Sequence, residues 1–147
     1  MSEVSREYLA EQFRLIEEYL RRARGIAGRS QAEYLADPYA VDASVRELTV
    51  LFETSHNIAK HLIAQYGWKA PANKAETFEV LADAGVISPA LSEAFRGAAR
   101  FRNLVTYQTA IVQDEIVYQI LQENLPDFER FLSEVARWLE REVRPEP

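Results

Sequence analysis

The chain has 147 residues, 48% of them hydrophobic and 27% charged, with a formal net charge of −6 and no cysteine. This is enough for one domain with its own core, and it excludes disulfides and thiolate metal sites. The acidic balance argues against binding nucleic acid through the whole surface but leaves a local basic site open.

The chain reads as nearly all helix. Leu9, Phe13, Ile16, Leu20 and Ala23 repeat at three- and four-residue steps. They predict a first helix from about Ser5 to Ile26, stopped by Gly25 and Gly28. Ser30 to Ala36 can form a turn or two before Asp37-Pro38, where the residue before proline avoids the helical region. A long helix follows, with Asp42 as the expected N-cap. Its stripe is Val45, Leu48, Phe52, Ser55, Ala59, Leu62 and Tyr66, and Gly67 is its stop. After the Pro71 loop, a shorter helix spans about Lys74 to Ala84, with Gly85 behind it. Ser88-Pro89 pairs a cap residue with proline at the first helical position. The helix it opens carries Leu91, Phe95, Ala98 and Phe101 and runs into Arg102 and Asn103. A last helix starts near Asp114 and reaches about Glu142, with Pro126 expected to kink or split it.

No strand pattern, repeat or low-complexity run is present. The expectation is one domain over residues 1–147: an all-α, antiparallel up-and-down helical bundle of four to five helices. No apolar run approaches the ~20 residues of a membrane helix. Residues 1–7 are polar and have no signal-peptide core. A cytoplasmic protein without membrane contact is therefore expected.

Site chemistry concentrates in Phe101-Arg102-Asn103-Leu104-Val105-Thr106-Tyr107. Arg102 can fork onto a phosphate, and Asn103 both donates and accepts. Tyr107 follows within one to two helical turns. Between Ala94 and Gln113 the only charged residues are Arg96, Arg100 and Arg102. On the residues alone two readings stay open. One is a phosphate-handling site. The other is an arginine capping helix carbonyls, an asparagine ending the helix, and a packed tyrosine.

His56 and His61 lie five apart on one helix, so they point about 140° apart and cannot share a metal. One is expected in the core or an interface and the other in solvent. No metal or other cofactor is expected. Trp68 and Trp138 read as packing anchors. Arg21, Arg22 and Arg24 read as a solvated face, since Glu17 and Glu18 stand one turn before Arg21 and Arg22.

Several stretches together resemble the HepT-like family of HEPN helical-bundle proteins. They are Ala59–Ala64, the Pro71 loop, Phe78 through Ile87, Phe101–Val105, and Asp114–Leu121. The resemblance covers the chain from the first helix to about Leu139. It implies a dimeric bundle, often the toxin of a toxin–antitoxin pair, that cleaves RNA without a metal. The implied partner is an MNT-type nucleotidyltransferase antitoxin. The family motif reads Arg-Asn, a histidine a few residues on, then a tyrosine two after it. Arg102 and Asn103 match the start, the histidine position falls on Tyr107, and the tyrosine position falls on Thr109. In the family the partner can adenylylate the motif tyrosine and silence the toxin. Tyr107 is the nearest such hydroxyl here.

The resemblance thus implies a catalytic set of Arg102, Asn103 and Tyr107, with Arg96, Arg100 and Thr109 as substrate contacts. The missing histidine motivates a second expectation: a non-catalytic module that docks the nucleotidyltransferase and presents a nucleotide or tyrosine to it. A purely structural helical dimer is the third.

Overall fold

The computed structural model describes the backbone of residues 1–107 and 114–143, and the side chains of these except 99, 100, 102–107 and 143. It contains α1 (Glu3–Ala27), α2 (Gln31–Leu35), α3 (Pro38–Tyr66), α4 (Lys74–Asp83), α5 (Pro89–Tyr107) and α6 (Asp114–Val143), with no strand among the described residues. The short piece after Gly28 is a helix in its own right. Ser30 caps it, accepting from the Glu33 N–H at 3.2 Å, so six helices stand among the described residues, this short one beside the five expected.

Local chemistry sets the ends. Gly25 lies inside α1, and Gly28 alone is its C-cap. Gly67 closes α3 in the left-handed region, φ 68°, which glycine adopts without a Cβ penalty. The cap of α3 is Asp37, not Asp42. The Asp37 Oδ1 accepts from the N–H groups of Tyr39 and Ala40 at 3.0 and 3.4 Å. The residue before proline is held extended, which is the conformation an N-cap needs, and Pro38 sits where an N–H would go unused. The Asp37-Pro38 pair that ends α2 therefore starts α3, and Asp42 falls inside the helix.

The four long helices alternate in direction. Ser5 bonds Gln65, and Arg29 pairs with Asp37, so α1 and α3 are antiparallel. Arg24 pairs with Glu129, and Gln122 donates to the Ala27 carbonyl at 2.7 Å, so α1 and α6 are antiparallel too. The Ser88 N–H donates to Glu134 at 2.6 Å, and Phe95 meets Phe128 and Phe131, which sets α5 antiparallel to α6. The short α4 packs against α3 and α5.

Aromatic rings join these elements. Phe78 of α4 stacks on Phe95 of α5 with centroids 4.3 Å apart. Phe52, Phe128 and Phe131 surround the pair at centroid distances of 5.2 to 6.4 Å. A second cluster, Tyr66, Trp68 and Trp138, closes the other end of α3 against α6. Against expectation, α6 runs unbroken through Pro126. The ring removes one backbone bond at a cost of roughly 3 kcal/mol. Leu125, Phe128 and Phe131 are buried beside it, and each contributes about 1.5–3 kcal/mol.

Glu47 is a polar exception in this core. It is buried, and its Oε2 has no hydrogen-bond partner. Burial pushes its carboxyl above the ordinary range, and Arg22 of α1 only partly offsets this. A raised carboxyl pKa favours the folded state below the ordinary carboxylate range, and that contribution is lost as pH rises through the raised value.

Two stability measurements follow from this packing. Phe95→Ala should cost about 3–5 kcal/mol in urea unfolding; a loss below about 1 kcal/mol would show that the ring cluster does not hold α5. Glu47→Gln should raise Tm near neutral pH, with the gain vanishing below about pH 4. A gain independent of pH would mean that ionisation of Glu47 is not the cause.

Candidate active site

The expected site lies on α5, so its placement follows from what holds that helix. Ser88 Oγ accepts from the Leu91 N–H at 3.2 Å, and Pro89 is the first helical residue. Leu91 and Phe95 are fully buried, and Phe101 is half-buried beside Leu48, Ile120 and Asn124. Gly97 and Ala98 line a cavity of about 180 Å³ between α5, α3 and α6. Because α5 is antiparallel to α6, its last turns head toward the start of α6. Tyr118 near that start donates to the Arg29 carbonyl at 2.7 Å, and its ring lies 5.1 Å from that of Tyr34 in α2.

Arg102, Asn103 and Tyr107 all fall within α5, which continues to Tyr107. Asn103 therefore does not end the helix, contrary to the alternative of a capping arginine with a helix-ending asparagine. Asn103 and Tyr107 are one turn apart, at i and i+4. Arg102 and Tyr107 are five apart, about 140° around the axis, so these two positions do not share a face of one helix. The side chains of Arg100, Arg102, Asn103 and Tyr107 lie outside the described residues, as does Thr109 altogether.

Arg96 is described, and it is engaged. Its guanidinium pairs with Glu79 of α4 and, at 3.5 Å, with Glu93 one turn before it on α5. It staples α4 to α5 at a half-exposed position. Its charge is largely offset before any substrate arrives.

Neither histidine belongs to this end of α5. His56 is buried next to Phe52 and Phe78, with Nε2 3.2 Å from Thr77 Oγ1. The Thr77 hydroxyl donates to the Asn73 carbonyl, so His56 is the donor in that pair. His61 is half-buried, so neither of the two histidines is fully in solvent. It lies over the Tyr8 ring at 4.8 Å and bonds Ser5 Oγ at 3.1 Å. The Ser5 hydroxyl donates onward to Gln65, so this Ser-His pair is not arranged as nucleophile and base. No group of three or more His, Asp or Glu side chains that could hold a metal occurs among the described residues. No helix among them is long and apolar enough to cross a membrane.

The model of one protein family, ribonuclease HepT-like, matches residues 16–135. The chain belongs to the HepT-like family. The match runs from the middle of α1 to the last third of α6 and includes Arg102, Asn103 and Tyr107. A similar HepT-like protein is the mRNA nuclease HepT of Shewanella oneidensis, 26% identical over 91 residues, 62% of this chain and 68% of the relative. Solved structures share the fold. A toxin–antitoxin with AMP-PNP superposes with a TM-score of 0.83 at 21% identity, covering 89% of this chain and 98% of that one. The tri-AMPylated Shewanella oneidensis HEPN toxin in complex with MNT antitoxin gives 0.82 at 21% identity, covering 93% and 99%. YutE, a cytosolic protein of unknown function from Bacillus subtilis, gives 0.83 at 14% identity, covering 97% and 95%. The HepT-like bundle is thus an all-α scaffold common to proteins of widely diverged sequence.

Proposed function

We propose that this HepT-like protein is the toxin of a toxin–antitoxin module and acts as a metal-independent endoribonuclease in the cytoplasm. The observation that carries the reading is the family match over residues 16–135, which spans Arg102-Asn103 and Tyr107 on α5. In the reaction the RNA 2′-hydroxyl, losing its proton to solvent water, attacks the adjacent phosphorus, and the bond to the 5′ oxygen breaks. The products are a 2′,3′-cyclic phosphate and a 5′-hydroxyl. Arg102 stabilises the charge that develops on the phosphate oxygens. Asn103 orients the strand. Tyr107 stands where the family motif has histidine. A tyrosine with a pKa of ~10 is a poor base at neutral pH, but it can donate a proton to the leaving oxygen. Arg100 and Thr109 contact the substrate, and Arg96 contributes little because Glu79 and Glu93 already face it.

A homodimer fits the helical register. Arg102 and Tyr107 stand on different faces of one α5, so two copies meeting along this helix can bring an arginine of one and a tyrosine of the other together. The antitoxin partner is an MNT-type nucleotidyltransferase, as in the complex of the Shewanella toxin. The tyrosine at the histidine position also favours a second reading, a non-catalytic module that docks this partner and presents a nucleotide or Tyr107 to it.

Purified protein should cleave RNA equally well with and without EDTA, and Arg102→Ala should slow cleavage by about 100-fold or more. Cleavage that ignores Arg102→Ala would end the ribonuclease reading. Tyr107→His should raise the rate near neutral pH, since histidine titrates there. A stable complex with a co-expressed MNT-type nucleotidyltransferase, with no cleavage by either form, would select the docking module instead.

A further inference from the structure

The sides of α6 differ in charge. Toward α1 it carries Glu129, paired with Arg24, and Glu140, which lines a groove with Leu9 and Phe13. Toward the loop 85–88 it carries Arg130, Arg137 and Arg141. These three, with Ser88, Ser133 and Glu134, line an open groove of about 510 Å³. The arginines are seven and then four residues apart, so they fall on one face over about 16 Å of helix.

The single carboxylate in the groove is already engaged. Glu134 accepts from the Ser88 N–H at 2.6 Å and faces Arg130 at 3.7 Å. Arg130 also reaches Ser88 Oγ at 3.5 Å. Arg137 and Arg141 are exposed, and neither has a carboxylate partner among the described residues. Three arginines against one glutamate leave two positive charges in excess, on a protein whose net charge is −6.

We infer that this groove binds the phosphodiester backbone of a single-stranded RNA, as an electrostatic track separate from the Arg102 end of α5. Guanidinium groups fork onto phosphate oxygens, and a row of them suits a polymer rather than one phosphate. No aromatic side chain lines the groove, so bases are not stacked or read there, and binding is indifferent to sequence. An acidic protein partner fits less well. Val86 and Ile87, the apolar residues of the lining, are buried, so the groove offers none of the exposed apolar anchors on which protein interfaces rely. The choice of RNA as the polyanion rests on the ribonuclease reading; the excess positive charge does not.

The test is fluorescence anisotropy with uncleavable 2′-O-methyl single strands of two unrelated sequences, across a salt series. The double variant Arg137→Gln/Arg141→Gln should weaken binding several-fold and equally for both sequences. It should make the slope of log K against log salt shallower by about 1.4, because two phosphates of a single strand are no longer neutralised. The Arg137→Lys/Arg141→Lys variant should keep most of the affinity, and an unchanged melting curve shows that the fold is intact. Unchanged affinity and slope in a protein that still binds and cleaves RNA overturn the groove and leave the ribonuclease reading standing. A wild-type protein that neither binds nor cleaves RNA overturns both. A double variant that binds RNA normally but no longer holds a co-expressed nucleotidyltransferase assigns the groove to an acidic protein surface and overturns the RNA track.

Discussion

Phe95 meets Phe78, Phe128 and Phe131 at once, and the position of α5 follows from that contact. The stack with Phe78 binds α5 to the short α4, and the edge-on contact with Phe128 binds it to α6. Phe52 joins the same group from α3. Aromatic pairs add about 0.5–1.5 kcal/mol each beyond the area they bury. Their geometric effect matters more for function. Four helices are pinned at one level of the bundle, and the turns that carry Arg102, Asn103 and Tyr107 extend from that level as a continuation of the same helix.

Charge is organised around this core by pairing. Arg21 and Arg22 both turn to Glu18, Arg24 crosses to Glu129, Arg29 holds Asp37, and Arg96 ties α5 to α4. Exposed pairs of this kind contribute little to stability, roughly 0–1 kcal/mol each. Their larger effect is to silence the basic clusters that the sequence suggests. Arg137 and Arg141, by contrast, have no such carboxylate among the described residues.

The periodic apolar stripes made the long helices legible, because burial on one face of a helix leaves a direct imprint at three- and four-residue steps. Helix ends were harder. Asp42 and Asp37 are both good caps, and the choice was made by proline geometry in the backbone rather than by side-chain type. Pro126 read as a break, yet burial on both sides of it outweighs one missing bond. At the site, the motif was visible as Arg102-Asn103 with Tyr107 in place of a histidine. The length of α5 was not, and with it went the 140° offset between Arg102 and Tyr107. The pairing of Arg96 with Glu79 and the groove that α6 forms with the loop 85–88 were invisible for another reason. Each joins segments distant in the chain, and no local pattern records such a contact.

The end of α1 shows what those distant contacts do. Its last carbonyls lack partners within the helix, as at every helix terminus. Two carbonyls at this junction are satisfied from α6: Gln122 donates to Ala27 and Tyr118 to Arg29, across 95 and 89 residues. On the ribosome α1 is made well before α6. Until α6 has been made, the junction between α1 and α2 stays unlocked, and Phe95 has neither Phe128 nor Phe131 to rest on. The bundle therefore closes only once α6 has been made, and a nascent chain that stops short of α6 cannot present a properly seated α5.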